Sequence, residues 1–211
     1  MIEVKMKSSI LQAVHSSATP EHGTPPDVVE ASRRVLGRID LDPASSKVFN
    51  EIVRADRYFT KEDDGLAQEW GNPNGINVFL NSPSGEKGNL AKRFWERLTD
   101  EYLRDMVESA IYIGFSIDQL QTLQNTKHGG PMKLPICIPR KRLQFSSMIE
   151  KSSQVGLFGD VEPDVIATKG SSPTKPNFIC LLPSRLGFGA VGEIQKERFN
   201  DEFSKFGEVR V

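Results

Sequence analysis

One stretch limits what this chain can become: Val78-Phe79-Leu80, stopped at once by Asn81-Ser82-Pro83-Ser84-Gly85. Consecutive apolar residues with no polar alternation suit a strand covered on both faces. The residues that follow bend the chain and end regular structure. Beyond them Leu90, Phe94, Leu98, Tyr102 and Met106 recur every four residues, with Trp95 and Leu103 widening the stripe; that is the period of an amphipathic helix. Ala110-Ile111-Tyr112-Ile113-Gly114-Phe115 then reads as a second buried strand. Strand, polar turn, covering helix and strand make a βαβ unit, and such units build α/β domains because the helix must cover the sheet.

The same pattern predicts the rest. Thr24-Pro25-Pro26-Asp27 opens a helix with Thr24 as N-cap and Pro25 at its first position; Val28, Val29, Ser32, Val35 and Leu36 share a face, and Gly37 ends it in a left-handed cap. Ile39 to Asp42 alternates as a short strand, Val48 to Val53 forms a brief helix, and Asp63-Asp64-Gly65-Leu66 is a turn. Trp70 is expected in the core or in a flap. Ser116 or Asp118 caps a short helix carrying Leu120 and Leu123, and Leu134–Pro139, Leu143–Phe145 and Asn177–Leu182 read as strands. A helix from about Val191 buries Phe199, Phe203 and Phe206 and stops at Gly207, before a last strand from Glu208 to Val211. Residues 1–20 are expected to be an arm or short docked helix, and residues 146–176, rich in Ser, Gly, Pro and Lys, a flexible insertion. The expectation is one domain over residues 21–211, a three-layer α/β fold with a mostly parallel sheet.

Composition narrows the function. A formal net charge of -1 supplies no global field for nucleic acid, so any such contact must use a local patch. Arg140, Lys141 and Arg142 form one, which Lys151, Lys169 and Lys175 could extend. Cys137 and Cys180 sit in apolar runs and read as buried thiols of a reducing cytosol. Three scattered His and no CxxC give no metal-binding pattern. No apolar run reaches the length of a membrane span and no signal-peptide pattern is seen, so a cytoplasmic protein without a membrane partner is expected.

In α/β sheets ligands gather at the carboxyl ends of strands. Asn81 would hold a carboxamide there, with one acceptor and two donors for a planar polar ligand, and Ser82 and Pro83 would turn carbonyls the same way. Asp42 would place a carboxylate on a neighbouring strand end, beside the small residues Pro43, Ala44 and Ser45. Each has a structural alternative: the turn residues can serve turn geometry alone, and Asp42 can cap the next helix.

Taken together, His22-Gly23-Thr24-Pro25-Pro26, Leu41-Asp42-Pro43-Ala44-Ser45, Ala55-x-x-Tyr58, Asp63-Asp64-Gly65-Leu66, Trp70 and Phe79-Leu80-Asn81-x-Pro83 resemble the phage-type, Dam-like DNA N6-adenine methyltransferases of phages and prophages. Ile138-Pro139-Arg140-x-Arg142-x-x-Phe145 and Phe203-x-x-Phe206-Gly207 extend the likeness to residues 24–211. The resemblance implies a Rossmann-like methyltransferase fold and S-adenosylmethionine as cofactor. Thr24 and Pro25 would match the motif near its methionine end, Asp42, Pro43, Ala44 and Ser45 the first cofactor motif, and Asp64, Gly65 and Leu66 the segment at its adenine. Asp56 is the candidate acid for its ribose. Asn81, Ser82, Pro83 and Ser84 would match the catalytic Asn-Pro-Pro-Tyr, which receives an adenine flipped out of double-stranded DNA.

The motif departs from the family pattern at two places. Ser82 replaces a Pro that stiffens the turn, and Ser84 replaces the ring that stacks on the base, unless Tyr58, Trp70 or Phe115 supplies another. Ser45-Ser46-Lys47 stands where larger relatives carry glycines. A second reading is therefore a catalytically degenerate protein on this scaffold, acting by binding DNA, cofactor or a host protein.

Overall fold

A computed structural model describes residues 22–83, 89–150, 165–169 and 175–211, with 147–150 and 165–169 as backbone. The expected arm, the candidate Ser84, Lys151 and much of the expected insertion lie outside the described residues. The elements in chain order are β1 (His22–Gly23), α1 (Pro26–Leu36), β2 (Leu41–Asp42), α2 (Lys47–Val53), β3 (Arg57–Tyr58), β4 (Asn77–Asn81) and α3 (Asn89–Leu103). They continue with β5 (Ser109–Gly114), α4 (Asp118–Gln124), β6 (Ile136–Pro139), β7 (Ser146–Glu150), β8 (Val165–Lys169), β9 (Phe178–Leu182), α5 (Ala190–Phe203) and β10 (Gly207–Arg210).

Seven strands form one sheet in the order β10-β6-β9-β5-β4-β2-β3. Pairs β2–β3, β2–β4 and β4–β5 run parallel, whereas β5–β9, β9–β6 and β6–β10 run antiparallel. The sheet is thus mixed, and the expected parallel order holds only for the half running from β3 to β5. Every residue of β5 and β9 is buried, as strands covered on both faces must be.

Two apolar layers flank the sheet. Val28, Val29, Val35, Val53, Phe199 and Phe203, from α1, α2 and α5, pack on Phe79, Ile111, Ile113 and Ile179. Phe94, Trp95 and Leu98 of α3, with Leu123 of α4 and Trp70, pack on Val78, Leu80, Tyr112 and Cys180. Each such side chain contributes about 1.5–3 kcal/mol when fully buried. The α2 crossover from β2 and the α3 crossover from β4 therefore lie on opposite faces and lead in opposite directions along the sheet. Their divergence makes the ends of β2 and β4 the topological switch point of the sheet, where ligand crevices form in α/β folds.

Several expectations change in detail. The α1 helix starts at Pro26 with Pro25 as its N-cap residue and no side-chain cap, so Thr24 is not the cap. Its end at Gly37 (φ 84°) is as expected, the Gly37 amide donating to Arg33. Leu103 closes α3 and is exposed, rather than widening its apolar stripe. Leu143–Phe145 is not a strand. The segment beginning at Ser146 contains β7 and β8, which pair antiparallel and, with β1, form a second three-stranded sheet. Cys137 and Cys180 are free, buried thiols.

Candidate functional site

Because β2, β3, β4, β5 and β6 point one way, their carboxyl ends share a rim with the amino ends of β9 and β10. Asp42 closes β2 and Asn81 closes β4, on adjacent strands registered through Leu41 and Val78. The two candidate residues thus stand at the carboxyl ends of neighbouring strands.

Asp42 is 3% exposed. Its Oδ1 accepts the Ala44 amide at 3.2 Å, while α2 is capped by Ser46, whose hydroxyl accepts from the Phe49 amide at 3.2 Å. The helix-cap alternative for Asp42 is thereby removed. Burial pushes its carboxyl up to about 7, against the lowering effect of the Ala44 amide and the neighbouring Ser45 hydroxyl. The Ser45 hydroxyl faces the Asp42 carboxyl, just outside good hydrogen-bond geometry. The backbone here is fixed by β3: Phe59 donates to the Asp42 carbonyl at 3.0 Å, and Ser45 donates to the Phe59 carbonyl at 2.8 Å.

The turn at Asp64-Gly65-Leu66 is packed directly on this segment. A Cβ at Gly65 would stand 1.9 Å from the Pro43 carbonyl oxygen, so only glycine permits the approach. The Trp70 indole donates to the Gly65 carbonyl at 2.5 Å, and its buried ring stacks on Phe94. Trp70 is thus a core residue that holds the turn. Asp64 and Leu66 cluster with Gly65, the Asp64 carboxylate accepting the Leu66 amide at 3.3 Å. Asp56 lies at the amino side of β3, where its amide donates to Ile39. It is exposed and away from the rim, so its expected ribose role is not supported by position.

Asn81 is held from the other side. Its Nδ2 donates to the His22 carbonyl at 2.7 Å, which fixes the carboxamide; among the described residues Oδ1 has no donor. Ser82 differs from expectation. It is buried, and its hydroxyl is paired at 2.9 Å with Tyr112 OH inside the sheet's core. A side-chain tether thus replaces the stiffness a Pro would give, while the Ser82 hydroxyl itself faces away from the rim. Pro83 is exposed. Two residues after His22, Thr24 is 4% exposed. Thr24 Oγ1 and His22 Nδ1 are buried without a hydrogen-bond partner.

Three contributors were given no role by the sequence. His22 packs its ring on Phe115 and Phe145. Tyr112 anchors Ser82. Asn177, 1% exposed, joins two rim loops, its Nδ2 donating to the Phe115 carbonyl at 2.8 Å and its Oδ1 accepting the Leu143 amide at 3.1 Å. A polar residue directly before an apolar run was the only sequence sign of it.

Arg140, Lys141 and Arg142 follow β6 on the same rim and are exposed. Arg140 is already engaged, with the Ser204 carbonyl at 3.1 Å and Glu208 at 3.3 Å. Lys175 pairs with Asp118. Among the described residues no group of three metal-ligating side chains occurs, and no helix is long and apolar enough to cross a membrane. An open polar hollow of about 350 Å³ lies on the opposite edge, lined by Arg38, Asp40 and Arg57. Its cations are engaged: Arg38 with Asp40 at 2.7 Å, and Arg57 with the Trp70 carbonyl. No family model, curated protein or solved structure matches the chain.

Proposed function

We propose that this chain is an S-adenosylmethionine-dependent DNA adenine-N6 methyltransferase of the phage type, built on a Rossmann-like fold. What supports the reading is the pairing, on adjacent strand ends, of a buried carboxyl, Asp42, and a carboxamide fixed by the His22 carbonyl, Asn81, together with a buried hydroxyl, Thr24 Oγ1, that has no hydrogen-bond partner. Buried polar groups are seldom left unsatisfied. A polar ligand with amino-acid and ribose groups answers that need.

Thr24, Pro25 and the Asp42–Ser45 segment would hold the cofactor, with the Gly65 turn closing the far side. When bound, it supplies an electrophilic methyl group. Asn81 Oδ1 and the Ser82 carbonyl would accept the two N6 hydrogens of an extruded adenine. That N6 lone pair is delocalised into the ring, and two acceptors on its hydrogens orient it. Such positioning is a proximity and electrostatic device.

S-adenosylmethionine or S-adenosylhomocysteine should raise the melting temperature. At a hundred times Kd the stabilisation is about 2.7 kcal/mol, or about 5–11 °C for a chain this long. No shift at millimolar ligand would remove the cofactor reading. A shift without tritiated-methyl incorporation into DNA would favour the binding-only protein instead.

The basic triplet gives a separate check on DNA. Replacing Arg140, Lys141 and Arg142 by Ala should flatten the slope of log K against log salt by up to about 2.7 if all three meet phosphates. The Glu208 pair on Arg140 should bring the change nearer to about 2. An unchanged slope would place the phosphate contacts elsewhere.

A further inference from the structure

We infer that His22 and Phe115 form the surface that holds the planar substrate base beside Asn81, with His22 Nδ1 hydrogen-bonding to the edge of that base. The inference rests on the methyltransferase reading and adds to it the residues that recognise the base.

Its first support is placement. The His22 carbonyl receives Asn81 Nδ2 at 2.7 Å, so the imidazole belongs to the residue that orients the carboxamide. Its ring lies 5.8 Å from that of Phe115, at an interplanar angle of 24°. Phe145 meets the imidazole edge-on at 6.4 Å and Phe115 at 6.1 Å. Three segments distant in sequence thus bring three rings to the end of β4 and β5.

The second is an unmet hydrogen bond. His22 Nδ1 is buried and has no partner, and burial lowers the imidazole pKa, so the ring is neutral near pH 7. A neutral imidazole has one donor and one acceptor nitrogen; a heteroaromatic ligand with ring nitrogens and an amine can serve either.

The third is elimination among nearby rings. Trp70 is 1% exposed and committed to the core, and Tyr58 sits on the edge strand β3, beyond β2 from Asn81. Phe115 is half-buried at the rim, and its backbone is secured by Asn177 at 2.8 Å. A ring held this way loses little freedom when a base stacks on it.

The test uses the whole chain saturated with S-adenosylhomocysteine, and a ten-nucleotide single strand carrying one 2-aminopurine. A single strand avoids the energy of extruding a base from a duplex. Stacking quenches the probe, and titration gives the affinity. Phe115→Leu, which keeps apolar bulk, should lose the quench and weaken binding about 5- to 150-fold, the range for one stacked base. His22→Phe, which keeps a ring without nitrogen, should weaken binding at least about 5-fold, and His22→Asn, with an amide near the Nδ1 position, should recover part of that loss. All three should keep the cofactor-induced melting shift, as a merely unfolded variant would not. If the wild type binds and quenches and Phe115→Leu and His22→Phe both match it, the base surface is overturned while the methyltransferase reading stands. If the wild type shows the cofactor shift but ignores the strand, the DNA reading fails and the base surface with it.

Discussion

Asn81→Ala should lower the rate of methyl transfer about 10²- to 10³-fold while leaving the cofactor-induced melting shift intact. That factor is the usual loss when one preorganised hydrogen-bonding group at a reacting centre is removed. The change is a local one. The Asn81 Nδ2 is held by the His22 carbonyl, so Oδ1 would be the atom offered to the substrate, whereas Thr24, Asp42 and Ser45 are untouched. The turnover rate should fall more than DNA affinity, the signature of an interaction made chiefly in the transition state. Single-turnover incorporation of tritiated methyl measures it. A variant within threefold of the wild-type rate would exclude Asn81 as the acceptor.

Asp42→Asn should stabilise the free protein at pH 8 and weaken cofactor binding. The folded carboxyl titrates at about 7, up from an ordinary 3.8. Between those values the folded state keeps a proton that the unfolded chain has released, so stability falls as pH rises across that window. The whole loss is about 4 kcal/mol. The amide keeps the acceptor for the Ala44 backbone without a charge to bury, so the variant should lose this slope. Urea unfolding of both proteins from pH 4 to pH 8 gives the difference directly. Equal pH profiles would mean that the carboxyl is solvated in the folded chain. A destabilising charge retained at a cleft is what a binding site for a cationic group costs; an ammonium-bearing ligand would restore the ionised form.

Periodicity made most of the frame legible. The α1 stripe with its Gly37 end, the apolar runs of β4, β5 and β9, and the two phenylalanines of α5 all follow from local pattern. Asn81 ends an apolar run and Asp42 an alternating one, so the place of each at a strand end was legible for a related reason. What sequence did not reveal depends on distant partners. Ser82 reads as a loosened turn until Tyr112, thirty residues on, is found holding it. Thr24 reads as a helix cap, but Pro25 takes that position and the hydroxyl is left for another use. β7 and β8 lack periodicity because their order comes from pairing with β1 and each other. The reversal of β9 and β10 is likewise a matter of pairing, to which a local pattern is blind.

The cover that α5 gives to α1 sets the order in which this protein can be made. Val28, Val29 and Val35 share their core with Phe199 and Phe203, and β9, on which the rim strap Asn177 depends, lies almost a hundred residues after Asn81. On a ribosome adding about 5–20 residues per second, Asn81 emerges on the order of ten seconds before Phe203. For all of that interval α1 lacks the cover of α5, and once β5 is made it waits more than sixty residues for β9 on its far side. The nascent chain is then at its greatest risk of aggregation, and both strand ends of the switch point are synthesised well before either can be used.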